Sequence, residues 1–155
     1  MIRWDDRRAE RLIVLYARWT LGAAFLSGIA DRFGWWGAGV GYGDFAHFIQ
    51  YTAKVNALMP AWTIPFLAWA ATVAEAVLGV LLIVGRWPRP VALASALLLF
   101  LFGTAMAISF GIKSPLDYSV FSASAAALLL ARWSYPRDRA EGPAREPGHV
   151  RDPAP

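Results

Sequence analysis

Residues 64–85 read IPFLAWAATVAEAVLGVLLIVG, an unbroken apolar run except for one carboxylate, Glu75. At ~1.5 Å of rise per residue, a helix of this length crosses a hydrocarbon core of roughly 30 Å. A carboxylate near its middle is costly unless it is neutral, paired or facing a wet cavity. Ala71, Glu75 and Gly79 recur at i, i+4 and share one face. The small residues on either side let a second helix come close to the carboxyl group. What Glu75 meets there is therefore the central question for function.

Upstream, the charged segment MIRWDDRRAER leads into a first span, Leu12 to Ala30, interrupted by Arg18. A signal peptide is the alternative, with Gly28 and Ala30 as small residues before a cut. Arg18 breaks the apolar region and the chain retains Met1, so an uncleaved transmembrane helix is expected. The connection Asp31 to Met59 carries alternating glycines at 37, 39, 41 and 43. It lacks the G-x-G-x-x-G spacing and a preceding strand, so it reads as a turn rather than a phosphate loop. Asp44 then caps a short helix reaching about Leu58. Phe45, Phe48, Ile49 and Val55 fall on one side of it, and His47, Gln50, Tyr51 and Lys54 on the other. That spacing predicts an amphipathic helix in the membrane interface.

Downstream, Gly85-Arg-Trp-Pro-Arg-Pro90 ends the central span abruptly. A third span runs from Val91 to about Phe110, with Ala92, Ala96, Gly103 and Ala107 as packing faces. In the turn GIKSPLDY, Ser114 is expected as a helix cap, Pro115 at the first helical position and Asp117 as a capping-box acid. The fourth span, 116–131, is short and rich in small residues, so it is expected to pack among the others. The expected fold is thus all-α: a four-transmembrane-helix bundle (spans about 12–30, 64–85, 91–110 and 116–131) with a short interfacial helix in the first outer loop. It occupies residues 1–133. Residues 134–155, rich in Pro, Arg, Asp and Glu, read as a disordered cytoplasmic tail.

Composition agrees. The 155 residues are 57% hydrophobic and 17% charged, with a mean hydropathy of +0.42. The net charge of +4 does not indicate nucleic acid, because most basic residues flank membrane segments. Arg3, Arg7, Arg8 and Arg11, then Arg86 and Arg89, then Arg132, Arg137 and Arg139 all fall on one side of a four-span bundle. The outward loops hold only Arg32, Lys54 and Lys113. This asymmetry predicts both termini in the cytoplasm, and the expected location is a bacterial-type plasma (inner) membrane. There is no cysteine and there are only two histidines. Thiol redox chemistry, Cys-ligated clusters and covalently bound haem of this chain are excluded, and neither a haem held by its two histidines nor a metal site is expected.

Two places carry candidate chemistry. Arg18 lies ~10 Å into the membrane from Arg11, and Glu75 lies ~15 Å from Gly85 in the antiparallel helix. Arg18 and Glu75 are therefore expected to pair, either as a structural lock between helices or as a buried polar site for a quinone, a proton or another substrate. The second place is the outer mouth, where Asp31, Arg32, His47, Lys54, Lys113, Asp117 and Tyr118 could converge as a ligand or partner surface. For each of these taken singly, a solvated loop charge is the simpler reading.

With these residues in view, the chain resembles the DoxX family of small four-helix membrane proteins over roughly Arg11 to Arg132. The resemblance rests on Arg18-Trp-Thr-Leu-Gly22, Phe25-Leu-Ser-Gly28, Glu75-Ala-Val-Leu-Gly79, Leu81-Leu-Ile-Val-Gly85 with Arg89, and Gly111-Ile-Lys-Ser-Pro115-Leu-Asp117-Tyr. Many relatives carry Gly-x-x-Lys where this chain has Gly28-Ile-Ala-Asp31-Arg32, so the role of that lysine does not transfer. The resemblance implies an accessory subunit of a membrane redox complex, in contact with quinone. The lack of an electron carrier in this chain implies a redox protein partner. A stand-alone enzyme is the weaker expectation. The alternatives are a non-catalytic scaffold or receptor using its outer loops, and a small transporter or proton path through Glu75.

The charge asymmetry makes a direct prediction. Reporter fusions at Val40 and Pro155 should report opposite sides of the membrane; the same side for both would end the four-span arrangement.

Overall fold

The computed structural model describes residues 6–37 and 39–133. The tail expected over 134–155 lies outside the described residues. The helices are α1 (Asp6–Arg32), α2 (Phe45–Val55), α3 (Ile64–Val84), α4 (Pro88–Phe110), α5 (Lys113–Asp117) and α6 (Val120–Trp133), with a 3₁₀ turn at Ala61–Thr63 before α3. Helices α1, α3 and α4 are each long and apolar enough to cross a membrane, and α6 is a shorter apolar helix. They form two antiparallel pairs, α1 with α3 and α4 with α6, closed into a bundle by α3–α4 and α1–α6 contacts. The α1 N-terminus, the α3–α4 turn and the α6 C-terminus share one end, hereafter the basic end. Helices α2 and α5 lie at the opposite, loop end.

Helix α1 outruns the expected span at both ends. At its C-terminus, Gly34 at φ 68° takes the left-handed position. Trp35 N–H bonds Ala30 O at 2.9 Å and Gly34 N–H bonds Asp31 O at 3.2 Å. This double bond to the last turn is the Schellman stop, and it keeps Arg32 inside the helix. Gly85, at φ 81° with its N–H on Leu81 O at 2.8 Å, ends α3 as anticipated. Helix α4 starts earlier than Val91, because Pro88 and Pro90 occupy its first turn, where no N–H partner is lost.

The fourth span differs from its expected limits. The stretch from 116 breaks at Ser119, which sits at φ 55°. Helix α5 ends before it, and α6 begins with Ala123 N–H on Ser119 O at 2.9 Å. The cap of α5 is Ile112 without a side-chain bond, so Ser114 and Asp117 do not form a capping box. Asp117 instead accepts from Lys113 Nζ within α5. The 14 residues of α6 rise only ~21 Å, less than a hydrocarbon core.

Close approach between helices depends on missing side chains. A Cβ on Gly22 would stand 2.7 Å from Ile83 Cγ1 and 2.8 Å from Gly79 O. The ring of Phe121 lies on Gly103 in the same way, and Ser124 Oγ donates to Ala96 O at 2.8 Å. The apolar core gathers near the basic end: Leu21, Phe25, Leu82, Val91, Ala92, Ala96, Ala127, Leu130 and Ala131. Large apolar residues such as Phe66, Val73, Val77 and Val84 face outward on α3, as a lipid environment requires. Of the exposed tryptophans, Trp19 and Trp69 lie within α1 and α3, while Trp35, Trp36 and Trp62 lie at the loop end and Trp87 and Trp133 at the basic end. This is the placement of interfacial aromatic belts.

Gly79→Val puts a Cβ 3.1 Å from the Leu26 side chain and 3.2 Å from Gly22 O. It should destabilise the protein by about 1–3 kcal/mol through overpacking. Gly79→Ala should lose less. Resistance to unfolding in detergent measures both, and wild-type stability for the valine variant would contradict the close packing.

Candidate functional site

Glu75 does meet an arginine, but the arginine is Arg32. Arg32 Nη2 donates to Glu75 Oε1 at 2.6 Å and Oε2 at 2.8 Å, and Nη1 donates to Thr72 Oγ1 at 3.0 Å. Thr72 passes its own proton to Ala68 O at 2.8 Å within α3. The Phe48 ring covers the guanidinium at 3.9 Å from its centroid. Arg32 is 5% and Glu75 4% exposed, so the pair is shut away from solvent. Three helices build it: α1 supplies the cation, α3 the carboxylate and hydroxyl, and α2 the aromatic cover.

Direction, rather than depth, decides which arginine is chosen. Gly22 against Gly79 sets the register, which places Glu75 opposite Leu26 (79 − 75 = 4; 22 + 4 = 26). Arg18 is then eight residues away and Arg32 six, or ~12 and ~9 Å. Side chains on a helix lean toward its N-terminus. Arg18 leans toward the basic end, away from Glu75. Arg32 leans into the bundle, and Glu75, on the antiparallel helix, leans toward the loop end to meet it. The expected Arg18–Glu75 contact is therefore not formed. Arg18 Nε donates to Leu82 O at 2.9 Å and Nη2 to Ile83 O at 3.1 Å. A cation there satisfies carbonyls that the end of α3 leaves open and opposes its dipole. The guanidinium lies where a Cβ on Gly85 would be, so only glycine fits that position.

The expected outer-mouth cluster does not converge on one point. Arg32 turns inward. Asp31 accepts from Tyr42 N–H at 3.1 Å and ties down the glycine loop at Gly41, where a Cβ would overlap its carboxylate. His47 Nδ1 lies 2.9 Å from Asp44 Oδ2, and Asp44 Oδ1 accepts His47 N–H at 2.8 Å as the cap of α2. Those bonds from His47 hold the Asp44 carboxyl below its ordinary pKa. Lys113 pairs with Asp117 along α5, and Lys54 and Tyr118 are exposed. Among the described residues, no group of three or more His, Asp or Glu side chains is arranged to hold a metal.

Helix α2 has the expected cap and exposed face, with two differences. It ends at Val55, where Asn56 N–H and Nδ2 both bond Thr52 O, at 3.0 and 2.9 Å. Tyr51, expected on the polar side, is half-buried beside Tyr42 and Phe110. Burial raises the phenol pKa of both Tyr42 and Tyr51 above the usual range. The helix is fastened over the bundle end by Ser109 Oγ donating to Val55 O at 2.5 Å and by Phe45 against Trp69 at 4.5 Å.

Two features remain open in the site. Arg32 Nε is buried without a hydrogen-bond partner among the described residues. Gly28, whose Cβ would stand 3.3 Å from Glu75 Oε2, also lines an open groove of about 360 Å³ with Ser27, Asp31, Trp36, Val40 and Gly41. Trp36 Nε1 donates to Ser27 O at 3.1 Å across that groove.

The DoxX family model matches residues 13–112. The chain belongs to the DoxX family. The match takes in α1 to α4, and hence Arg18, Arg32, Thr72 and Glu75, and stops before α5 and α6. No curated protein and no solved structure matches the chain. In this DoxX protein, Gly34 was the sequence signal that would have found Arg32. Read as the glycine after the last turn, it keeps residue 32 in α1. There, 21, 25, 28 and 32 fall on one face with the residues that meet α3.

A double-mutant cycle separates the two arginines. Arg32→Ala and Glu75→Ala should each cost about 3–5 kcal/mol, since each strands a buried charge. Arg32→Met with Glu75→Leu should lose much less than the sum. Arg18→Ala should cost about 1 kcal/mol and add simply to Glu75→Ala. Unfolding in detergent reads all of these, and strong coupling between residues 18 and 75 would reverse the assignment.

Proposed function

We propose that this DoxX protein is an accessory membrane subunit. In this reading it receives a lipid-soluble quinone at its loop end and works beside a redox partner that carries the electrons. One observation supports it above others: the orphan Nε–H of buried Arg32, on the same helix turn as Gly28 and Asp31, which line a groove at the loop end. Glu75 neutralises the guanidinium, so the site favours a neutral acceptor over an anion. A quinone carbonyl is such an acceptor, and its ring can lie against Trp36 and Val40 in the groove. With no cysteine and few histidines, the chain offers few groups to hold an electron carrier, which motivates the partner.

A second reading is favoured by the closure of the network. Both Glu75 oxygens and the Thr72 hydroxyl are engaged, and Phe48 seals them. The site then acts as a lock in a non-catalytic scaffold that presents α2 and the loops to a partner.

Purification in native lipids followed by quinone extraction distinguishes them. The wild-type protein should carry quinone. Val40→Trp, which fills the groove from the loop side, should lose most of it while keeping wild-type thermal stability. Wild-type protein free of quinone in quinone-replete membranes, or full retention in Val40→Trp, would leave the scaffold reading.

A further inference from the structure

Helix α2 is the roof of the Arg32–Glu75 pair, and its own attachments are few in kind. It packs on α1, α3 and α4 at the loop end. Its underside is Phe48, Thr52 and Val55, all buried, while His47, Gln50 and Lys54 on its upper side are exposed. Phe45 meets Trp69 at the first turn, Phe48 lies on the Arg32 guanidinium, and Ser109 Oγ clasps Val55 O at the last. An 11-residue helix is too short to hold its place unaided, so its position rests on these contacts. The chain on either side is free to turn. Gly43, at φ 74° with open space where a Cβ would stand, comes just before the Asp44 cap. Beyond Asn56, residues 57–60 form an exposed turn, with Met59 N–H on Asn56 O at 2.9 Å.

We propose that α2 is a lid, which swings on Gly43 and residues 56–60 and opens the Arg32–Glu75 pair to the aqueous phase at the loop end. The closed position has one unmet demand. Arg32 Nε, bonded to the carbon that Phe48 covers, is buried without a hydrogen-bond partner among the described residues. Lifting α2 lets water reach that N–H, which offsets part of the cost of parting the rings. Toward the basic end, Gly22 on Gly79 and the apolar core close the bundle, so access is from the loop end alone. The lid goes beyond the quinone reading and does not rest on it, because it governs access to the pair whether the groove takes a quinone or nothing.

The chain has no cysteine, so a single introduced thiol reports on its own position. In the full-length protein in nanodiscs, Thr52→Cys places a thiol on the underside of the lid. A charged maleimide should modify it far more slowly than Gln50→Cys on the exposed face, yet to completion. Adding Ser109→Ala, which removes the clasp, should raise the slow rate about fivefold, the worth of one hydrogen bond. Ala68→Cys, 0% exposed on the α3 face that carries Thr72 and Glu75, should respond in the same way and decides the matter if Thr52→Cys does not fold. Ala92→Cys, equally buried in the core near the basic end, should stay unmodified with or without Ser109→Ala. Thiols under α2 that never react, a rate unmoved by Ser109→Ala, or equal acceleration at Ala92→Cys would overturn the lid and make α2 a fixed plug. Quinone content is measured separately and does not enter these rates, so either reading can fail without the other.

Discussion

A guanidinium bonded to both oxygens of a carboxylate, sealed under a phenyl ring, holds the loop half of this bundle together. Burying either Arg32 or Glu75 there alone would carry a large desolvation cost. Each therefore constrains the other, and the helices with them. Sliding α1 one turn along α3 would strand both groups at once, so the pair selects one register from those that small-residue packing allows. Phe48 extends the constraint to α2, because its ring is the roof over the guanidinium. The aromatic contacts of α2 with α3 and the bond from Ser109 on α4 then pin that short helix across the end of the bundle.

The basic half is held by different physics. There the helices close through absent side chains: Gly22 on Gly79, Phe121 over Gly103, and alanines along α4 and α6. Lipid tails are as apolar as leucine, so burial alone does not drive these helices together, and close van der Waals contact must. Arg18 belongs to this half. It finishes the end of α3 by bonding carbonyls that would otherwise face a medium without water. Two arginines on one face of one helix thus have different duties. Arg18 serves backbone at the end where α3 stops, and Arg32 serves a side chain where α3 has none of its own kind to offer. The same division separates two cavities among the described residues: a groove near the Arg32–Glu75 ion pair at the loop end, and a cleft flanked by Arg89 and Arg132 at the basic end.

The spans, their order and the stop at Gly85 followed from the sequence, because each depends on local composition. A run of apolar residues, a left-handed glycine and prolines in a first turn mean the same wherever the chain goes. The cap and exposed face of α2 were legible for the same reason. The fourth span was less so. Its break at Ser119 uses a non-glycine residue in the left-handed region, which no local rule favours, and the apolar pattern runs on through it. Tyr51 was misplaced because periodicity assigned it by polarity, while Tyr42 and Phe110 gave its ring an apolar wall.

The sequence by itself determined that Glu75 needs a cationic or wet neighbour, since burial of a lone carboxylate is costly in any fold. Only the tertiary structure decided which neighbour. Counting depth from the helix ends favoured Arg18, because depth is a property of one helix at a time. The outcome depended on two quantities that exist only between helices: the register set by Gly22 on Gly79, and the opposite lean of side chains on antiparallel partners. Those point Arg32 and Glu75 at each other and turn Arg18 toward the carbonyls of the basic end.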